Sequence, residues 1–200
     1  MVFKFHKQQR GYCGISCLAM GFSKLGYPVS EEALIKSFEP DHEKGCDIIA
    51  NKKILEELIP EANIRTLHKL NAGLREVAAY TRAGIPVIPY VWEWENAGTT
   101  ENPVYKKSGH YIFVRDVTQT VKIANPASNG PGWLRKQHFE NKWYDIERPC
   151  ERGEILVFAP ESKFAKMDPK YWPAEMRWAR GAEPFPQSPN EFAATGTDGK

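Results

Sequence analysis

The chain contains no apolar run of the roughly 20 residues that a membrane-spanning helix requires. It also lacks a block of like charge. Lysine and arginine number 27 against 25 aspartates and glutamates, so the balance gives no support for a nucleic-acid partner. Cysteines are sparse, four in 200 residues and irregularly spaced, which is not the pattern of a disulfide framework. An intracellular, reducing compartment is the default, and the expected localisation is cytoplasmic. There is no internal repeat. The opening "KFHKQQR" followed by "GISCLAMGF" imitates a secretory signal. No small-x-small cleavage motif follows it, however, and Lys24 with "LGYP" continues an amphipathic helix instead.

What is present is the material of one sizeable domain with an appendage. Ile15, Leu18, Ala19, Phe22 and Leu25 recur at helical spacing and predict a helix over 14–26, with Gly26 as its stop. "PVSEEALIKSF" offers Ser30 as an N-cap for a second helix. "DIIANKKILEELIP" and "LNAGLREVAAYTRAG" give a third and a fourth. The pattern then turns to strands. "IPVIPYVWEWE" reads as a buried strand, "NAGTTENPVYKKSG" as a polar loop, and "HYIFVRDV" with "VKIANP" as a hairpin. "GWLRKQHFENKWYD" has room for a short helix, and "RGEILVFAP" closes with one more strand. Helices first and antiparallel strands afterwards predict an α+β domain over 1–159. Residues 160–200, rich in proline and aromatics, read as a partly flexible appendage.

Cys13 precedes the first helix. A helix N-terminus carries partial positive charge and unpaired N–H groups, which stabilise a thiolate and can hold an oxyanion. Gly14 beside it would let a substrate backbone approach closely. Among His6, His42, His68, His110 and His138, only His110 opens a core strand directly after a glycine, which makes it the candidate base. The other four sit in polar or loop-like surroundings. With the hairpin tip between Thr118 and Gln119, Ile112 falls opposite Asn125. His110 and Asn125 then become diagonal neighbours with Cβ atoms about 7–8 Å apart. An amide oxygen there would orient the imidazole toward the thiol. A one-residue change of register would separate the two, leaving Asp116 as the substitute.

The segments "YCGISCLAMGFSKLG", "AGIPVIPYV", "SGHYIFVRDV" with "VKIANPA", and "HFENKW" resemble the papain-like bacteriocin-processing cysteine peptidases. Those enzymes cut leader peptides after a double glycine. The resemblance covers roughly residues 5 to 158 and implies a papain-like fold, with N-terminal helices packed on a C-terminal antiparallel sheet. It maps the family's nucleophile onto Cys13, its histidine onto His110 and its third group onto Asn125, where the family usually has aspartate. It also implies an oxyanion-hole glutamine upstream of the cysteine. Gln8 is the choice and Gln9 the reserve, although the family's glutamine stands about one residue further upstream, where this chain has Lys7. The expected function is cysteine-type peptide hydrolysis of a peptide or protein substrate, with no cofactor.

Three other readings compete. Cys13 and Cys17, with His42 and Cys46 in "DHEKGCD", supply some metal-ligand types but no second tight pair, so no metal is expected. The same Cys–His–Asn set could run amidase, deamidase or transpeptidase chemistry, and phytochelatin-synthase-like enzymes share a similar "YCG" opening. A silent peptide-binding domain is the third, its support being the displaced glutamine and the aromatic tail Tyr171, Trp172 and Trp178. Oligomeric state is not legible.

Overall fold

The computed structural model describes residues 3–9, 11–41, 45–96, 105–143, 153–173 and 176–177. His42, Cys150 and Trp178 lie outside them. Six α-helices and seven strands are formed among the described residues: α1 (Cys13–Leu25), α2 (Glu31–Phe38), α3 (Lys53–Glu57), β1 (Ile64–Lys69), α4 (Leu74–Arg82), β2 (Val87–Asn96), β3 (Tyr105–Tyr111), β4 (Phe113–Val117), β5 (Thr120–Ala124), β6 (Pro131–Arg135), α5 (Lys136–Trp143), β7 (Ile155–Pro160) and α6 (Glu161–Phe164). The strands make one antiparallel sheet in the order β1-β7-β2-β4-β5-β6, with β3 paired to β2. This is the α+β arrangement the sequence predicts.

The buried helix α1 organises the interior. Ile15, Leu18, Met20 and Phe22 are fully enclosed, and the helix packs against α2, β2, β3 and β4. Burial on every side, not just along the Ile15–Leu25 stripe, follows from two glycines that let neighbours come close. A Cβ on Gly21 would lie 2.5 Å from the ring of Phe158 on β7. Phe158 and Phe22 rings meet at 5.0 Å. Gly26, left-handed at φ 90°, ends the helix with its own N–H and that of Tyr27 on the carbonyls of Ser23 and Phe22. The next helix starts as its sequence demands: Ser30 Oγ accepts the N–H of Ala33 at 3.2 Å.

Four stretches differ from expectation, each for a local reason. The third helical pattern yields only the short α3. The Asp47 carboxylate accepts the N–H groups of Ile49 and Ala50 at 3.0 and 2.9 Å, and that turn takes the place of a helical start. β1 has no strand signature in the sequence. It is an edge strand paired only to β7, so just Ile64 is buried and no alternation is visible. Much of the polar stretch before His110 is β3, where Asn96 pairs with Tyr105 and the ladder runs to Tyr90 opposite Tyr111. β6 is likewise an edge strand with mostly exposed residues. Beyond residue 160, Phe164, Trp172 and Met176 join the core, and Tyr80 Oη donates to the Tyr171 carbonyl at 3.0 Å.

Gly21→Ala tests the close packing of α1. Alanine is about 1 kcal/mol better than glycine inside a helix, whereas overpacking a filled core costs about 1–3 kcal/mol. The substitution is expected to lower the urea midpoint, and Gly21→Ala with Phe158→Leu to recover much of the loss. A midpoint raised by Gly21→Ala alone would contradict the packing described.

Candidate active site

Cys13 is the first residue of α1. The chain reaches it through a turn in which the Tyr12 N–H donates to the Gln9 carbonyl at 3.1 Å and Gly11 takes φ 79°. Tyr12 occupies the N-cap and contributes no side-chain cap. The helix end therefore offers its field and its first-turn N–H groups to the neighbouring sulfur.

His110 sits on β3 opposite Val91 and is 5% exposed. Its Nε2 donates to Asn125 Oδ1 at 2.8 Å. That oxygen also accepts the Ala127 N–H at 2.9 Å, which keeps the amide from turning over. With Nε2 committed, Nδ1 is the ring nitrogen left with a lone pair, and the Cys13 thiol is hydrogen-bonded to this ring. The three residues thus meet, contributed by a helix start, the strand β3 that pairs with β2, and the residue just after β5.

The meeting depends on a bulge. Around the tip, Asp116 pairs with Lys122 and Val117 with Val121, and Thr118 N–H reaches Thr120 O at 2.9 Å, so the turn centres on Gln119. That register, continued, would place His110 and Asn125 on opposite faces. A shift between Val114 and Asp116 absorbs one residue, after which Phe113 faces Ala124 and Val114 faces Ile123. The expected tip position is off by half a step, and the bulge restores the expected pairing at the site. Asp116 lies toward the tip, with Oδ2 3.3 Å from Lys122 Nζ and Oδ1 on the Val117 N–H.

The electrostatics single out one sulfur. Burial, the largest influence on Cys13, pushes its thiol upward. The hydrogen bond and charge of His110, with backbone hydrogen bonds at Tyr111 and Gly14, outweigh it and leave the thiol below its ordinary value. Cys17 is wholly buried and pushed well up by burial and by the neighbouring Cys13. Cys46 is pushed up to about 12 by burial, then by Asp47 and Cys13. All three are free thiols, and no cluster of metal-ligating side chains occurs among the described residues.

The glutamines divide. Gln8 is half-buried, its N–H donates to the Pro126 carbonyl at 3.0 Å, and its buried Oε1 has no hydrogen-bond partner. The backbone next to Asn125 thus pins this segment. Gln9 is exposed, and Lys7 Nζ reaches out to Asn129 Oδ1 at 2.8 Å. His6 and His68 face Glu31 and Glu154 at 3.2 and 2.8 Å, while His138 is exposed. His68 belongs to β1, not to a loop.

Two glycines take on roles that composition alone did not assign. Gly14 is not an opening for substrate. A Cβ there would lie 2.6 Å from Ile48 and 3.3 Å from the Tyr111 ring, so the space is filled by the protein's own side chains. Gly109 is required because a Cβ would fall 1.6 Å from Tyr90 Oη. Tyr90 packs on Tyr111 and Trp92 at ring separations of 5.0 and 5.5 Å. The "SGH" spelling carried that signal, but its partner lies on another strand.

Comparison with known proteins agrees with this architecture. No curated protein sequence matches the chain. A Bacillus anthracis protein described as a C39-like peptidase superposes with a TM-score of 0.54 at 13% identity, covering 78% of this chain and 94% of its own. The peptidase domain of Streptococcus ComA, a bifunctional ABC transporter involved in quorum sensing, superposes with a TM-score of 0.56 at 18% identity, covering 80% and 100%. At such identities the likeness is one of fold, that of the papain-like C39 peptidase domains. A family model matches residues 2–151, three-quarters of the chain, and on that match the chain belongs to the Peptidase_C39 like family.

Proposed function

We propose that the protein is a cysteine peptidase in which Cys13 is the nucleophile, His110 the general base and acid, and Asn125 the residue that orients His110. The observation that carries this reading is the His110–Asn125 hydrogen bond of 2.8 Å, with the Cys13 thiol on the same imidazole and held below its ordinary value. His110 takes the thiol proton as sulfur attacks a peptide carbonyl, and returns it to the leaving amine as the tetrahedral intermediate collapses. Water then attacks the thioester, giving up a proton to His110, and the peptide acid leaves. The Cys13 backbone N–H and the side-chain amide of Gln8 are the proposed oxyanion donors. Gln8 is preferred to Gln9 because it is half-buried beside the Asn125–Pro126 corner, with no hydrogen bond to its buried Oε1.

The substrate proposed is a peptide with small residues before the cut, in the manner of a double glycine. Passing the same thioester to an amine would give transpeptidation, and resolving one formed on a side-chain amide would give deamidation. Hydrolysis of a backbone bond is preferred on family membership. The free thiols of Cys13, Cys17 and Cys46 fit the reducing cytoplasm as the working compartment.

Two measurements test the assignment. With peptides containing Gly-Gly, Cys13→Ala and His110→Ala are expected to abolish cleavage. Asn125→Ala should lower kcat by about 10²-fold, the scale of a misoriented catalytic group, with little change in KM, and Asn125→Asp should restore most of it. Cleavage that survives Cys13→Ala would refute the mechanism.

The second measurement is a sub-stoichiometric thiol electrophile followed by peptide mapping. Among Cys13, Cys17 and Cys46, label should enter Cys13, with a rate profile centred below the pH of an ordinary thiol. His110→Ala should move that profile upward, because burial is then opposed only by the backbone hydrogen bonds at Tyr111 and Gly14. An unchanged profile would remove His110 as the activating group.

A further inference from the structure

The far end of α1 holds a second feature that peptide hydrolysis does not use. Lys24 lies in the last turn of the helix, about 16 Å from Cys13 along the axis at 1.5 Å per residue. Its Nζ is buried and has no hydrogen-bond partner. A lysine in a last helical turn ordinarily serves the terminal carbonyls, but those of Phe22 and Ser23 are already taken by the N–H groups of Tyr27 and Gly26. What Nζ does face is the Phe113 ring, 5.7 Å from its centroid.

Lys24 borders a cavity of about 410 Å³ between the end of α1, α4 and the β4–β5 hairpin. Thr81, Arg115, Asp116 and Lys122 line it, with Phe3 and Phe113 as its apolar wall. Phe3 stacks on Phe113 at 5.7 Å and carries the Arg115 guanidinium 4.5 Å above its ring. Asp116, the one carboxylate of the lining among the described residues, is 3.3 Å from Lys122. Among the described residues of the lining, the cations Lys24 and Arg115 have no carboxylate partner of their own. Lys163 on α6 adds a further positive charge that Lys24 feels.

We propose that this cavity is a binding site for a small ligand bearing an oxyanion, a phosphate or a carboxylate, which Lys24 and Arg115 neutralise. A cavity of this size accepts a small molecule, and a buried ammonium without a hydrogen bond is costly unless an anion completes it. The phenyl wall suits an apolar portion of the same ligand. Burial, with Lys163 and Arg115, lowers Lys24 to about 8 against the opposing pull of Asp116, so an empty pocket sheds part of its charge near neutral pH. An anion would hold that charge in place. The same two chain segments carry the catalytic groups, since α1 begins at Cys13 and the strand pair containing Arg115 extends to His110 and Asn125. The proposal stands independently of the peptidase reading.

The test is calorimetric titration and thermal unfolding of the full chain with sodium sulfate, whose charge is constant across the range, and with citrate as the carboxylate arm. Sodium chloride at equal ionic strength is the reference. A saturable rise in unfolding temperature beyond chloride with either probe is expected, with the tighter arm naming the chemistry. Lys24→Met should abolish that response while leaving the ligand-free protein at least as stable. Sulfate affinity of the unaltered chain should fall as pH rises through about 8, where Lys24 loses its proton. Asp116, Lys163, Arg115 and Lys122 are the other charged groups around it. No response beyond chloride, or one that Lys24→Met leaves intact, would overturn the proposal.

Discussion

The site depends on a one-residue irregularity in a β-hairpin. Side chains alternate across a strand, so the face on which Asn125 emerges is fixed by counting residues back from the turn. The turn centred on Gln119 gives the wrong count, and the bulge between Val114 and Asp116 corrects it. His110 and Asn125 then share a face and meet at 2.8 Å. Arg115, at the bulge, has its guanidinium held over the ring of Phe3. The N-terminal segment therefore braces the irregularity that aligns His110 with Asn125, and a few residues later delivers Gln8 to the Asn125–Pro126 corner.

Around this hairpin the molecule turns on α1. A helix buried on all sides needs small residues wherever a neighbour crosses it, which is why Gly14 meets Ile48 and Gly21 meets Phe158. Close packing fixes the height of Cys13 relative to β3, and the strand fixes His110. Neither element makes a reactive sulfur alone. Burial by itself pushes thiols upward, as at Cys17 and Cys46. Among the described cysteines only Cys13 adds an imidazole and backbone hydrogen bonds, and so falls below its ordinary value. The same burial acts on Lys24 at the other end of the helix, where it lowers an ammonium and leaves it without a hydrogen bond. One rule thus gives opposite consequences for an acid and a base.

Cys13, His110 and Asn125 could be picked out as candidates because each stands at a punctuation point of the chain: a helix start, a glycine before a strand, an Asn-Pro after one. α1, α2, α4, β2 and β7 were legible from strong periodicity, caps or compact apolar runs. β1 and β6 were not, since an edge strand with one face in solvent spells no apolar pattern. β3 was hidden because its ladder to β2 is made by backbone groups, whatever the side chains. The third helix is shorter than its apolar pattern suggests because the Asp47 carboxylate takes the backbone N–H groups that would begin it.

The sequence by itself determined the residue types, the order helices then strands, and the placement of a cysteine at a helix start, because these follow from short-range spacing. Tertiary structure alone decided that the imidazole reaches that sulfur, that Gly14 and Gly109 make room for the protein's own side chains, and that the Lys24 ammonium is buried. Each of those outcomes is set by register and packing between segments far apart in the chain, where a shift of one residue reverses the face a side chain presents.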